Sequence, residues 1–239
     1  MEINILGPKI IFKIGPIEVT QTVINSWIII IGVFFLCLFL THKLEKVPRK
    51  RRQQLVEKAI TMLDKLVEET MGKRNMKFAP YILTILVFSA FGSLISLLGL
   101  RSVTADLNTT LAWGLITFVM IWVSGFKAHG MGQLHGLIEP VFIMFPLNVL
   151  SEVATPFSMA FRHFGNILSG MIVSTLIYAG LAGLTTALFN IAIPFLQTGI
   201  PAILSVYFDV FSGCMQAFIF SMLTMVYVSN ANAPDDTPA

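Results

Sequence analysis

Five stretches of this chain are too apolar and too long for a water-soluble domain: Val23–Leu40, Ala79–Leu100, Leu111–Phe126, Leu137–Ala182 and Asn190–Val228. A helix needs roughly 20 residues to cross about 30 Å of hydrocarbon. Inside lipid every backbone N–H and C=O must find a partner within the protein, so only helices and closed barrels span. The five runs lack the two-residue alternation of a membrane strand. The sequence therefore predicts an all-α integral membrane protein with five membrane-embedded helices, the last two long and tilted. Composition agrees: 55% of the 239 residues are hydrophobic and 12% charged, which excludes an ordinary soluble domain.

The whole chain, 1–239, reads as a single membrane domain. Residues 1–21 mix apolar residues with Gly7, Pro8, Gly15 and Pro16 and predict an irregular or short-stranded external segment. Trp27 stands near one end of the first span as an interfacial anchor. Directly after that span come Lys43, Lys46, Arg49, Lys50, Arg51 and Arg52. By the positive-inside rule this cluster lies in the cytoplasm, which puts the N-terminus outside and, after five crossings, the C-terminus in the cytoplasm. Such clusters are routine beside membrane spans and do not point to nucleic acid.

Between Gln53 and Met71, apolar residues recur at three- and four-residue steps, with Glu57, Lys58, Asp64, Lys65, Glu68 and Glu69 between them. This predicts an amphipathic helix, 53–71, too polar to span and suited to the membrane surface or a partner helix. Ser89, Gly92, Ser93, Ser96 and Gly99 form a small-residue stripe on the second span that admits a close neighbour. The external turn after it holds Asp106 and Asn108. Asp106 or Thr104 suits a helix cap. Lys127, His129 and His135 fall in a Gly-rich cytoplasmic connection where the histidines are expected to be solvated. No His or Cys pair has metal-ligand spacing, and Cys37 and Cys214 sit in apolar runs. Residues 231–239 form a short polar cytoplasmic tail.

Two constellations carry chemistry, both within the long helices expected over 137–228. The segment PFSMAFRHFGNILSG, Pro156 to Gly170, places Arg162 inside otherwise apolar sequence. A guanidinium at the membrane centre costs about 2.5–3.5 kcal/mol to insert. With no acid nearer than Glu152, its counter-charge must come from another helix, another subunit or a mobile ion. On a helix Arg162, Asn166 and Ser169 share one face. The bland alternative is an arginine near a helix end, snorkelling to headgroups. Upstream, the approach is punctuated by Glu139, Pro140, Pro146, Asn148 and Glu152. In the last helix Ser205, Asp209, Ser212 and Gln216 fall at i, i+4, i+7 and i+11, one polar stripe amid Phe, Leu and Met. Two tilted helices presenting these groups to each other make a polar seam at membrane depth; helix–helix hydrogen bonding is the simpler reading of Gln216.

The runs FRHFGNILSG, MQAFIFSMLTMVYVS and TADLNTTLA resemble, in family order, the membrane-embedded subunit a of F-type ATP synthases. The resemblance implies a non-catalytic, ion-translocating stator subunit in a bacterial inner membrane, without cofactors. Its implied partners are a ring of c subunits, the b subunits of the peripheral stalk, indirectly the F1 ATPase sector, and membrane lipid. Two offset half-channels would pass protons to and from ring carboxylates. Arg162 would attract each carboxylate and block direct leakage, with Asn166, Ser169, Asp209, Ser212 and Gln216 in the path. Asp106, Asn108, Asn148 and Glu152 are possible half-channel lining. The chain departs from the family at two places: His163 follows the arginine in place of the common Leu, and Met171 stands at a usual Glu or His position. At the partner position on the last helix, which often holds His or an acid, stands Asp209. With Met171 apolar, Asp209 is expected to carry the outer relay, with His163 as possible substitute. An ion channel, a secondary transporter with an Arg/Asp/Gln site, and Na⁺ in place of H⁺ are the alternatives. No G-x-x-x-x-G-K-[ST] is present, and no nucleophile–base pair marks a membrane enzyme.

Overall fold

Each apolar run contributes one long helix in the computed structural model of the chain, which describes residues 8–15, 17–46, 50–138, 142–189 and 206–232. The chain opens with an antiparallel hairpin, Ile10–Ile14 (β1) and Ile17–Thr20 (β2), that leads into α1, Gln21–Thr41. Then follow α2 (Arg51–Met71), a 3-10 segment (Lys73–Phe78) and α3 (Ala79–Leu94), which tightens into a 3-10 turn over Ile95–Leu98. Pro80 sits in the first turn of α3, where a missing N–H costs nothing. Gly99, at φ 73°, ends the turn in the left-handed conformation that suits glycine. After a short turn come α4 (Leu107–His129), α5 (Gly132–Gly136) and a 3-10 turn at Phe142–Met144. Helix α6 then runs unbroken over Phe145–Phe189, and a π turn (Tyr207–Ser212) leads into α7, Gly213–Ala231.

Five of these helices are long and apolar enough to cross a membrane. Helix α6 holds 45 residues, about 67 Å at 1.5 Å per residue, more than twice the hydrocarbon thickness. The broken approach and the long helix expected after Leu137 are both present. Pro156 lies inside α6 without ending it. The sequence places Glu139, Pro140, Pro194, Pro201, Ser205 and the residues after Asn232 outside the described residues.

The described contacts sort into two ends of a bundle. At one end the hairpin, the start of α1 and the turn between α3 and α4 come together: Asn25 Nδ2 donates to the Arg101 carbonyl at 2.7 Å, and Thr22 Oγ1 to Asp106 at 2.6 Å. Burial pushes the Arg101 guanidinium below its ordinary value, and the neighbouring Asp106 carboxylate opposes that shift. At the other end α2 lies against the start of α3 and the close of α7. There Val67, Met71, Ala79, Ile82, Met225 and Val228 form one apolar cluster, and Asn232 donates to Asn75. The C-terminal half of the amphipathic helix thus has its partner within the chain, while Leu55, Ile60 and Met62 stay exposed. Between the ends Ile85, Trp113, Met159 and Phe220 make the central cluster.

Lipid tails are as apolar as leucine, so close fit and hydrogen bonds, not burial from water, hold such helices together. The fit is tight where the chain has glycine. A Cβ at Gly114 would stand 2.7 Å from the Pro156 carbonyl oxygen, and one at Gly213 2.6 Å from Ser93 Cβ. The small-residue stripe expected on α3 is therefore used: Ser89, Gly92 and Ser93 are buried. Outward, Trp27, Phe35 and Leu176 remain 63–65% exposed, as lipid-facing side chains do.

Candidate functional site

Arg162 lies on an exposed face of α6 and makes no hydrogen bond or ion pair among the described residues. Gly165, on the same face, opens onto empty space, with nothing within 4 Å of where a Cβ would be. Ser169 completes the exposed row and turns its hydroxyl back to the Asn166 carbonyl at 3.0 Å. Asn166 points to the side, and its Nδ2 donates to Ser212 Oγ at 2.8 Å. That bond joins α6 to the π turn, and Phe208 packs beside it within 3.1 Å of a Cβ placed on Gly170.

The π turn changes the geometry expected of the last helix. Its hydrogen bonds reach from i to i+5, so it takes an extra residue per turn. The single stripe of Asp209, Ser212 and Gln216, which straight-helix spacing predicts, is therefore split. Ser212 meets α6, whereas Asp209 turns toward the Ser96 hydroxyl at the end of α3. Gln216 is buried at 5% exposure on the inner face of α7, between Gly213 and Phe220, without a hydrogen-bond partner among the described residues. Ser205 lies outside them.

Two acids flank Arg162 along the bundle. Glu152 sits ten residues earlier on α6, about 15 Å along the axis. Its Oε2 is sealed from the surface and unpartnered among the described residues. Asn148, one turn before it, donates to the Leu137 carbonyl at 2.9 Å. Asp209 lies toward the opposite end, near the turn that joins α3 to α4. In that turn Asp106 is the N-cap of α4: its Oδ1 accepts from the Asn108 backbone N–H at 3.0 Å, and its Oδ2 from Thr22. Asn108 itself is exposed. His163 is fully buried, with Nε2 3.2 Å from Ser89 Oγ and its ring edge-on to Trp113 and Phe220. No grouping of three His, Cys, Asp or Glu side chains fit for a metal occurs among the described residues.

Residues 23–229 match the family model described as ATP synthase A chain. The chain belongs to the ATP synthase subunit a family. Among its relatives, the sodium ion specific ATP synthase subunit a of Propionigenium modestum is 34% identical over 89% of this chain and 74% of that protein. ATP synthase subunit a 2 of Bradyrhizobium sp. strain BTAi1 is 32% identical over 97% of both chains. The subunit a of Moorella thermoacetica is 32% identical over 93% of this chain and 95% of its own length.

Among subunit a chains, then, this one is a multi-pass membrane component of an ATP synthase. The residues expected around Arg162 fall into three places. Arg162 and Ser169 share the bare face of α6, Asn166 and Ser212 tie the seam, and Asp209, Gln216 and His163 face other helices of the bundle. Sequence reasoning missed Ser96, Ser89, Trp113 and Phe220 as their neighbours. The serines read as a stripe of small residues, and nothing in the sequence singles out their hydroxyls. The aromatic pair carried no signal separable from ordinary packing.

Proposed function

We propose that this chain is the non-catalytic stator subunit of a rotary ATP synthase membrane sector, carrying two offset half-channels that meet a ring of c subunits. The observation that supports it best is Arg162, without a partner among the described residues on a bare helix face, with one acid toward each end of the bundle. An isolated guanidinium in lipid is costly; a ring carboxylate passing that face would supply its partner. Glu152 would serve one half-channel, with Asn148 beside it, and Asp209 the other. Asn166, Ser169, Ser212 and Gln216 would line the seam, and Asp106 and Asn108 the outer mouth.

Orientation follows from charge. Lys43, Lys46, Lys50, Arg51, Arg52, Lys73, Arg74, Lys77 and Lys127 all belong to the end that holds α2. That end faces the cytoplasm by the positive-inside rule, with the N-terminus outside and the C-terminus cytoplasmic. The b subunits and the F1 sector would complete the complex. A cation channel is a poorer reading, because Arg162 would repel the permeant ion. The coupling ion is H⁺ or, as the name of the Propionigenium relative suggests for that protein, Na⁺.

Arg162→Ala decides the reading in the reconstituted complex. ATP-driven pumping into vesicles is expected to vanish while ATP hydrolysis by released F1 continues. Arg162→Lys is also expected to be poor, since an ammonium lacks the planar fork of donors. Normal pumping by the alanine variant would return Arg162 to a headgroup anchor. Pumping followed in Na⁺-free and Na⁺-containing buffer identifies the ion.

A further inference from the structure

We infer that His163 is a positioning residue that pins the rotation and height of α6 and thereby aims Arg162 at the bare face. The inference rests on the stator reading of Arg162. One side chain on α6 touches all three of the other helices packed around it: Ser89 on α3, Trp113 on α4 and Phe220 on α7. The ring centroids of Trp113 and Phe220 stand 5.7 Å away, at 79° and 90° to the imidazole plane. Trp113 and Phe220 also meet each other edge-on, at 6.1 Å. The imidazole therefore closes a three-ring cluster and is 0% exposed.

Consecutive residues on a helix point about 100° apart. With residue 163 held inward on three sides, residue 162 is directed away from the bundle. A slip of α6 by one residue would carry the guanidinium about 1.5 Å along the axis and turn it through about 100°. The bare side offers no hold, since nothing lies within 4 Å of a Cβ at Gly165 and Arg162 has no partner among the described residues. On the packed side Pro156 against Gly114 and Asn166 with Ser212 share the task with His163.

A leucine would fill the same space, but its contacts are non-directional. The imidazole adds a bond with a fixed angle, Nε2 to Ser89 Oγ at 3.2 Å, at the cost of leaving Nδ1 without a partner among the described residues. A directional contact specifies one arrangement where apolar packing tolerates several.

A relay role fits the surroundings poorly. The hydroxyls of Thr104 and Ser93 are linked at 3.2 Å, but Ser93 then donates to the Ser89 backbone carbonyl at 3.1 Å. A carbonyl holds no transferable proton, so the side-chain line from the external turn stops one step short of Ser89 Oγ and His163.

The test uses the assembled complex in vesicles and reads two things: ATP-driven pumping per complex without a probe, and disulfide cross-linking of a Ser169→Cys probe, close to isosteric and on the same exposed face, to cysteines on the outer helix of the ring. His163→Leu and Ser89→Ala are each expected to lower both by about tenfold, the scale of one buried hydrogen bond. Their double variant is expected to be no worse than either single. His163→Gln, whose amide still reaches Ser89, is expected to recover most of both. Ser89→Ala removes one oxygen and keeps the test open if His163→Leu fails to assemble. Unchanged cross-linking and pumping in both single variants, or additive losses in the double, overturn the inference. Full pumping by Arg162→Ala would instead sink the stator reading beneath it.

Discussion

Asn166 and Ser212 are joined by a 2.8 Å bond from amide nitrogen to hydroxyl oxygen, across the seam between α6 and the π turn. It is the described side-chain hydrogen bond between the arginine-bearing helix and the segment that carries Asp209. Interhelical bonds of this kind contribute about 0.6–2 kcal/mol in membranes. Asn166→Ala and Ser212→Ala should each destabilise the detergent-solubilised subunit by about that much. A double-mutant cycle on thermal unfolding should recover most of the loss as coupling. Coupling near zero would mean that the seam is held by Phe208 against Gly170 alone.

Glycines give a second and sharper test, because the bundle makes different demands on them. A methyl group at Gly114 meets the backbone oxygen of Pro156 at 2.7 Å, which no rotamer change relieves. Gly114→Ala is expected to cost about 1–3 kcal/mol. At Gly213 the obstacle is the side chain of Ser93, so Gly213→Ala should be rescued by Ser93→Gly. Gly165 meets nothing. Gly165→Ala should leave the unfolding temperature of the isolated subunit unchanged and impair only what docks against that face, read as ring retention on a column.

The helix spans and the amphipathic α2 were legible in the sequence because hydropathy and the 3.6-residue period encode them directly. Of the face expected to hold Arg162, Asn166 and Ser169, the structure keeps Arg162 and Ser169 and turns Asn166 aside to Ser212. The π turn was not. One extra residue in a turn leaves no mark on an apolar stretch, yet it sends Asp209 to Ser96 and Ser212 to Asn166. The partner of α2 was hidden for another reason: Val67 and Met71 state that the helix has an apolar face, not that Met225 and Val228 will cover it. His163 read as an ionisable group because sequence carries no measure of burial. Asp106 allowed two readings, and the bond its carboxylate accepts from the Asn108 backbone N–H supports the cap.

Asp106 separates the two readings by experiment. Asparagine is as good an N-cap as aspartate, and alanine is not, a difference of about 1 kcal/mol. If the carboxylate serves as a cap, Asp106→Asn should retain stability and pumping while Asp106→Ala loses stability. Loss of pumping in a stable Asp106→Asn variant would place the carboxylate on the ion path.

Asp209 and Glu152 should differ from Asp106 in this respect. Neither is a cap, and neither forms an ion pair among the described residues. Each faces the bundle on a different side of Arg162. On the stator reading, an acid in such a place serves through its exchangeable proton or its ion-binding oxygens rather than through stability. Replacement by the isosteric amide keeps size and hydrogen bonding and removes only ionisation. Asp209→Asn and Glu152→Gln should therefore each slow ATP-driven pumping by tenfold or more, about 1.4 kcal/mol in the barrier, at unchanged assembly. His163→Gln, which keeps its bond to Ser89, should pump far better than either. The decisive measurement is the initial pumping rate in vesicles at matched complex content. If Asp209→Asn pumps normally while His163→Gln does not, the relay has been assigned to the wrong helix.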